Sequence, residues 1–221
     1  MTIKQMASGR MVDPGNLRVE DIDFVRDVAP ALARICRFSG AMECAPFSVA
    51  QHSVIMADQA IDAGDIALAQ ACILHDAHEA YLDEITKPTV ELLDAIMDQE
   101  VTGFADTDED AKHFRVSRII GLAKSRIDKP IFEAAGIDGK PGYQAVKRMD
   151  MRALATEKRH VLSASQYPWP SIAGVKPFTV RGSDIRPWPV AKAETEWLDR
   201  LFRLCPDAQH IPHWKDERGA A

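Results

Sequence analysis

An imidazole and a carboxylate stand side by side in the middle of an apolar stretch, His75-Asp76 in ACILHDAHEAYL, and no other feature of the 221-residue chain constrains its fold as much. Packing alone would choose apolar side chains there, because a carboxylate facing a helical core is costly unless it is paired, protonated or bound to a metal. Two more polar residues interrupt apolar stripes of predicted helices: His52 in SVAQHSV and Asp150 in AVKRMDMRALATE. Taken singly, each histidine is explained by a core hydrogen bond, and each aspartate by an arginine or a backbone amide. Taken together they offer two imidazoles and two carboxylates to one divalent cation. Such a mixed donor set suits Mn, Co, Ni, Fe or Zn better than Ca or Mg, which prefer all-oxygen sites.

Helical spacing decides where these residues sit. Asp21 can cap a helix over about 22–33, which Pro30 should kink or split. Ser48 and Gln51 form a capping box after Pro46, predicting a helix from Val49 to Gly64 with Val49, His52, Met56 and Ala60 on one stripe. Asp65 can cap the next helix, whose apolar positions Ile66, Ala69, Ile73, Ala77 and Ala80 continue to about Leu82. His75 and Glu79 then share a face. The 23 residues between His52 and His75 allow one helix, a turn and the return, so antiparallel neighbours bring the two together. Pro88 makes the preceding segment extended and leaves Asp83 and Glu84 on a loop nearby. Further helices are expected over about 89–104 and 108–121, followed by a less regular stretch to Tyr143. Val146, Asp150, Ala153 and Glu157 then recur at helical spacing in a helix to about Ser163. Five prolines make 166–190 a loop, and a last amphipathic helix covers 191–204.

No alternation requires a sheet, so the expected fold is all-α. It comprises an extended N-terminal arm (1–20), one helical domain (21–165) and a Pro-rich loop and helix (166–221) packed on that domain. A net charge of -6 argues against a protein that coats nucleic acid. The four cysteines are scattered without a CxxC pair, which fits a reducing compartment rather than a disulfide framework. The N-terminus lacks the order of a signal peptide, and no run of about 18 apolar residues could span a bilayer. A cytoplasmic location without membrane partners is the expectation.

With the order H, HD, D and its helical context in view, the chain resembles the HD-domain phosphohydrolase superfamily. It is most similar to the compact nucleotide-hydrolysing branch that includes bacterial 5'-deoxynucleotidases and phage dATP triphosphohydrolases. The likeness runs over about 22–157, through RICRF, SVAQHSV, LHDAHEAYL and VKRMDMRALATE. It implies an all-α HD bundle with His52, His75, Asp76 and Asp150 as metal ligands. It matches Glu79 to the acid of an HDxxE pattern and Arg37 to a phosphate-binding arginine, with Phe38 where relatives often carry tryptophan. Relatives usually have a Gly-Asp pair where this chain has Asp83-Glu84. By alignment Glu84 takes the catalytic aspartate's place, while Asp83 stands one step away, so either carboxylate could orient water.

The implied activity is cleavage of a (deoxy)nucleotide phosphoester, releasing phosphate from a monophosphate or triphosphate from a triphosphate. The implied cofactor is one divalent transition metal, with a second divalent ion arriving on the substrate phosphates. A homo-oligomer is implied as well. His78 either touches substrate or caps a neighbour, and Lys87 either reaches a phosphate or is a solvated loop lysine. Lys147, Arg148 and Arg152 read as a charged outer face, and His210 and His213 lack further ligands for a second metal site. Competing expectations are an HD module that senses a nucleotide without cleaving it, and a ppGpp or cyclic-nucleotide hydrolase.

Overall fold

A computed structural model of the chain describes residues 3–101, 115–138 and 142–209. The N-terminal segment, expected to be an extended arm, is a hairpin in which β1 (Lys4–Gln5) pairs antiparallel with β2 (Met11–Val12). It is held by the core, because Met6 and Val12 are buried. It also carries the cation that the core needs. Asp27 is fully buried, and Arg10 meets it at 2.7 Å while donating to the Asp21 carbonyl at 2.9 Å. Asp23, rather than Asp21, caps the helical entry by accepting from the N–H groups of Val25 and Arg26. A π-helical turn over Phe24–Val28 leads into α1 (Ala29–Arg34), with Pro30 in the first turn, where its missing N–H would have had no helical partner.

Ser48 caps α2 (Val49–Asp62) through a 3.2 Å bond from the Gln51 N–H. The other half of the expected capping box does not form. The Gln51 amide instead donates to the carbonyls of Asp184 and Arg186 at 2.8 Å and accepts from the Trp188 N–H at 2.9 Å, pinning the Pro-rich segment to the bundle. Gly64, at φ 75°, reverses the chain, and Asp65 caps α3 (Ile66–Leu74) through the Leu68 N–H. The two helices pack against each other.

The sequence predicts that this helix runs on to about Leu82, but it ends at Leu74. The Cys72 carbonyl, which a continuing helix would offer to the Asp76 N–H, accepts from His75 Nδ1 instead. Residues 75–78 wind more tightly, with Ala77 N–H to Leu74 O and Glu79 N–H to Asp76 O both at 3.0 Å, before α4 (Glu79–Leu82) resumes. This turn sets His78, as well as Glu79, beside Asp76.

Pro88 falls in the first turn of α5 (Lys87–Val101). The stretch read as irregular after Gly121 belongs to α6 (Val116–Ala134), which continues through Pro130. Burial of Ile127, Ile131 and Phe132 on one face outweighs the poor propensities of Gly121 and Pro130. The remaining parts of the helices expected over 89–104 and 108–121 lie outside the described residues, as do His210 and His213. α7 (Tyr143–His160) packs against both α2 and α3. The Pro-rich loop contains a short α8 (Gly182–Ile185) and leads to α9 (Val190–Leu204), which contacts α1, α2 and α3. Fully buried Trp197 of α9 donates its indole N–H to the Ile73 carbonyl at 3.1 Å, a fixed point two residues before His75. The fold is therefore mostly helical, with α2 and α3 at its centre. No helix among the described residues is long and apolar enough to cross a membrane.

Candidate metal centre

Two histidines from the central helices meet ring to ring. His52, in the first turns of α2, is fully buried, and its Nδ1 contacts Glu157 of α7. His75, at the end of α3, donates Nδ1–H to the Cys72 carbonyl at 2.9 Å. A carbonyl can only accept, and Glu157 is held ionised, so each ring carries its proton on Nδ1. Both Nε2 atoms are then left with lone pairs, and they face each other at 3.3 Å. Something positive must lie between them, either a proton or a cation. Two nitrogens on one tetrahedral ion at about 2.0–2.1 Å would stand about 3.3 Å apart, so the spacing already suits the ion.

Asp76 closes the group, with Oδ2 at 3.0 Å from His75 Nε2 and 3.7 Å from His52 Nε2. Ligand atoms of His52, His75 and Asp76 lie within 4.8 Å of one another. Asp150 of α7 faces this trio from its edge, with Oδ1 3.7 Å from His52 Nε2, while its Oδ2 is paired with Lys147 at 2.8 Å. All four residues expected to hold metal are thus brought together. Burial would raise the pKa of both aspartates, but the histidines outweigh it and hold both below the usual carboxylate range. Burial would lower the His75 pKa, yet Asp76 raises it above the ordinary imidazole value. Without a cation the cluster therefore recruits a proton, and a metal would take that proton's place.

Arg37 is buried beneath the cluster. It bonds Glu157 at 3.1 Å and lies 3.6 Å from Glu84 and 3.7 Å from Asp76. Burial opposes its charge, but Glu157, Asp76 and Glu84 raise its pKa, so it remains a guanidinium. Burial would likewise raise the Glu157 pKa, yet Arg37 and His52 hold it at about 2. Glu79 follows the opposite course. It is only 2% exposed, its Oε2 has no hydrogen-bond partner, and burial, then Asp76 and Glu84, push its pKa up to about 10.

The loop after α4 separates the two acidic residues that the sequence leaves open. Asp83 adopts φ 63°, ψ 170°, a conformation that glycine takes most readily. Its side chain is 73% exposed and pairs with Lys4 at 3.1 Å. Glu84 turns inward to Arg37. Lys87 is not brought to the cluster: its side chain is 70% exposed and pairs with Glu91 at 3.3 Å, one turn along α5. Phe38, at φ 58°, lies beside Arg37 and 6.3 Å from the ring of Trp169.

A cleft of about 340 Å³ opens onto the cluster, lined by His75, Asp76, His78, Lys124, Tyr143 and Asp150 among others. Arg37, Phe38, Glu79 and Glu84 do not line it. His78 is buried at the cleft, with Nδ1 2.8 Å from Asp128 of α6. Sequence reasoning missed Glu157, Asp128, Lys124 and Trp169. Only Glu157 had a signal, since it sits seven residues after Asp150 on the same predicted stripe.

No protein-family model matches the chain. The chain is 27% identical over 175 residues to the Uncharacterized protein YfdR of Escherichia coli (strain K12). The aligned region covers 79% of this chain and 81% of that protein. The likeness therefore spans most of both chains and assigns no activity.

Proposed function

We propose that the chain is a metal-dependent phosphohydrolase of the HD-domain kind, acting on the phosphoester of a (deoxy)nucleotide. One observation carries this reading. His52, His75, Asp76 and Asp150, from three separate segments, converge with both imidazole Nδ1 atoms anchored and both Nε2 atoms facing inward. Anchoring of the far nitrogen by a carboxylate or a carbonyl is what orients metal-bound histidine. A divalent ion held there supplies Lewis acidity toward a phosphoryl oxygen and makes a water nucleophilic near neutral pH.

The other residues supply the remaining needs of phosphoester cleavage. Lys124 and Lys147, lining the cleft, offer positive charge to the phosphates, and the buried Arg37 adds a fixed cation behind the cluster. Glu79, buried beside Asp76 and Glu84 with its pKa pushed up to about 10 in the metal-free chain, is the group placed to hold a proton for the leaving oxygen. Glu84, drawn inward where Asp83 takes the glycine-like turn, is the carboxylate suited to orient water. That exchange is consistent with Asp83-Glu84 replacing the Gly-Asp pair of the proteins that this chain resembles. The leaving group is phosphate from a monophosphate or tripolyphosphate from a triphosphate. The test is release of either product from a panel of nucleotides with Mn or Co added. Folded, metal-loaded protein that turns over none of them would overturn the proposal.

A further inference from the structure

We infer that the protein binds a second divalent cation, at a site built by Asp76, His78 and Glu79 beside the first. This extends the proposed metal-dependent reading, because Asp76 would be shared, and it differs from an ion carried in on substrate phosphates because the protein supplies the ligands. Ligand atoms of Asp76, His78 and Glu79 all lie within 4.8 Å of one another, and neither His78 nor Glu79 belongs to the first cluster.

Two buried atoms point to an ion rather than to a chance cluster. His78 is 4% exposed and Glu79 2%, yet His78 Nε2 and Glu79 Oε2 have no hydrogen-bond partner. A buried donor or acceptor left unmade is expensive, so such orphans call for an explanation. His78 is also prepared as a ligand in the same way as His52. Asp128 receives its Nδ1–H at 2.8 Å, which fixes the tautomer and leaves the Nε2 lone pair free. A histidine serving only to bond Asp128 would not need its other nitrogen sealed away from water beside two carboxyls. His78, Asp76 and Asp128 also line the cleft, which gives an ion a route in.

One imidazole and two carboxylates suit Mn, Fe, Co or Zn. An ion there would displace the proton of Glu79, so second-ion loading and proton donation by Glu79 are alternatives, and Glu84 remains as the cluster carboxylate not used as a ligand. A shared carboxylate holds two ions about 3.5–4 Å apart in two-metal sites, close enough for their electron spins to couple.

The test uses the full chain, stripped with a chelator and titrated with Mn(II) in the absence of nucleotide. Bound ions are counted by elemental analysis, and coupling is read by electron paramagnetic resonance. The expected result is two ions per chain with a coupled spectrum. His78→Asn keeps a donor for Asp128 but removes Nε2, and should bind one uncoupled ion with unchanged circular dichroism. Asp128→Asn should weaken the second ion by about 10- to 100-fold while sparing the first. One ion in both wild type and His78→Asn overturns the second site and leaves the hydrolase reading standing. Two ions in both, or none in the wild type, also overturns it, and the last result removes the first metal site too.

Discussion

Glu157→Gln breaks the ion pairs beneath the candidate metal centre, because it keeps the size of the side chain but removes its charge and turns one of its two accepting oxygens into a donating amide. Glu157 is 1% exposed and is shared by His52 and Arg37. Its pKa falls from 4.5 to about 2 because Arg37 and His52 overcome the burial that would raise it. That fall corresponds to about 3 kcal/mol in favour of the ionised form, comparable with the usual cost, about 3–5 kcal/mol, of breaking a buried pair. At about 2–4 °C per kcal/mol for a chain of this size, the variant should melt about 6–12 °C lower. The depressed pKa also fixes the pH window. The contribution is fully present above pH 4.5 and is lost as pH falls toward about 2, so the gap between wild type and variant should close over that range. Calorimetry on metal-free protein at neutral pH and at about pH 3 reads both effects. A variant melting within about 1 °C of wild type at neutral pH, or a gap that persists undiminished in acid, would refute the reasoning.

Three other outcomes follow from the same structure. Ser48→Ala removes the cap of α2 and should cost about 1 kcal/mol, measurable by urea denaturation, without changing bound metal at saturation. Asp150→Ala should lower metal content and hydrolysis together, and retained occupancy by elemental analysis would contradict its role as a ligand. Metal uptake must expel the proton that Asp76 helps to hold on His75, whose pKa is raised above 6.5. Calorimetric titration in buffers of different ionisation heat should therefore show proton release, and affinity should fall as pH is lowered.

Much of the fold and part of the site could be read from residue order because each rests on a local signal. Ser48 and Asp65 cap the helices they were expected to cap, and the stripes of α2 and α7 carry His52 and Asp150 to the cluster. What escaped reading depends on tertiary partners. Gln51 abandons the capping box because the Pro-rich loop offers its amide three bonds at once. The helix break at His75 coincides with a side chain bonding the Cys72 carbonyl, which no hydrophobic periodicity reveals. The stretch from Lys124 looked irregular, with Pro130 inside it, yet burial of Ile127, Ile131 and Phe132 sustains the helix to Ala134 and delivers Asp128 to His78. Asp83 and Glu84 were indistinguishable until the backbone turned through a positive φ and sent one outward and the other inward.

Anomalous diffraction from crystals grown with Mn or Co tests the central claim most directly. The account predicts a peak between His52 Nε2 and His75 Nε2, within bonding distance of Asp76 and Asp150. A fully loaded protein whose ion lies elsewhere, with these four side chains uncoordinated, would contradict it.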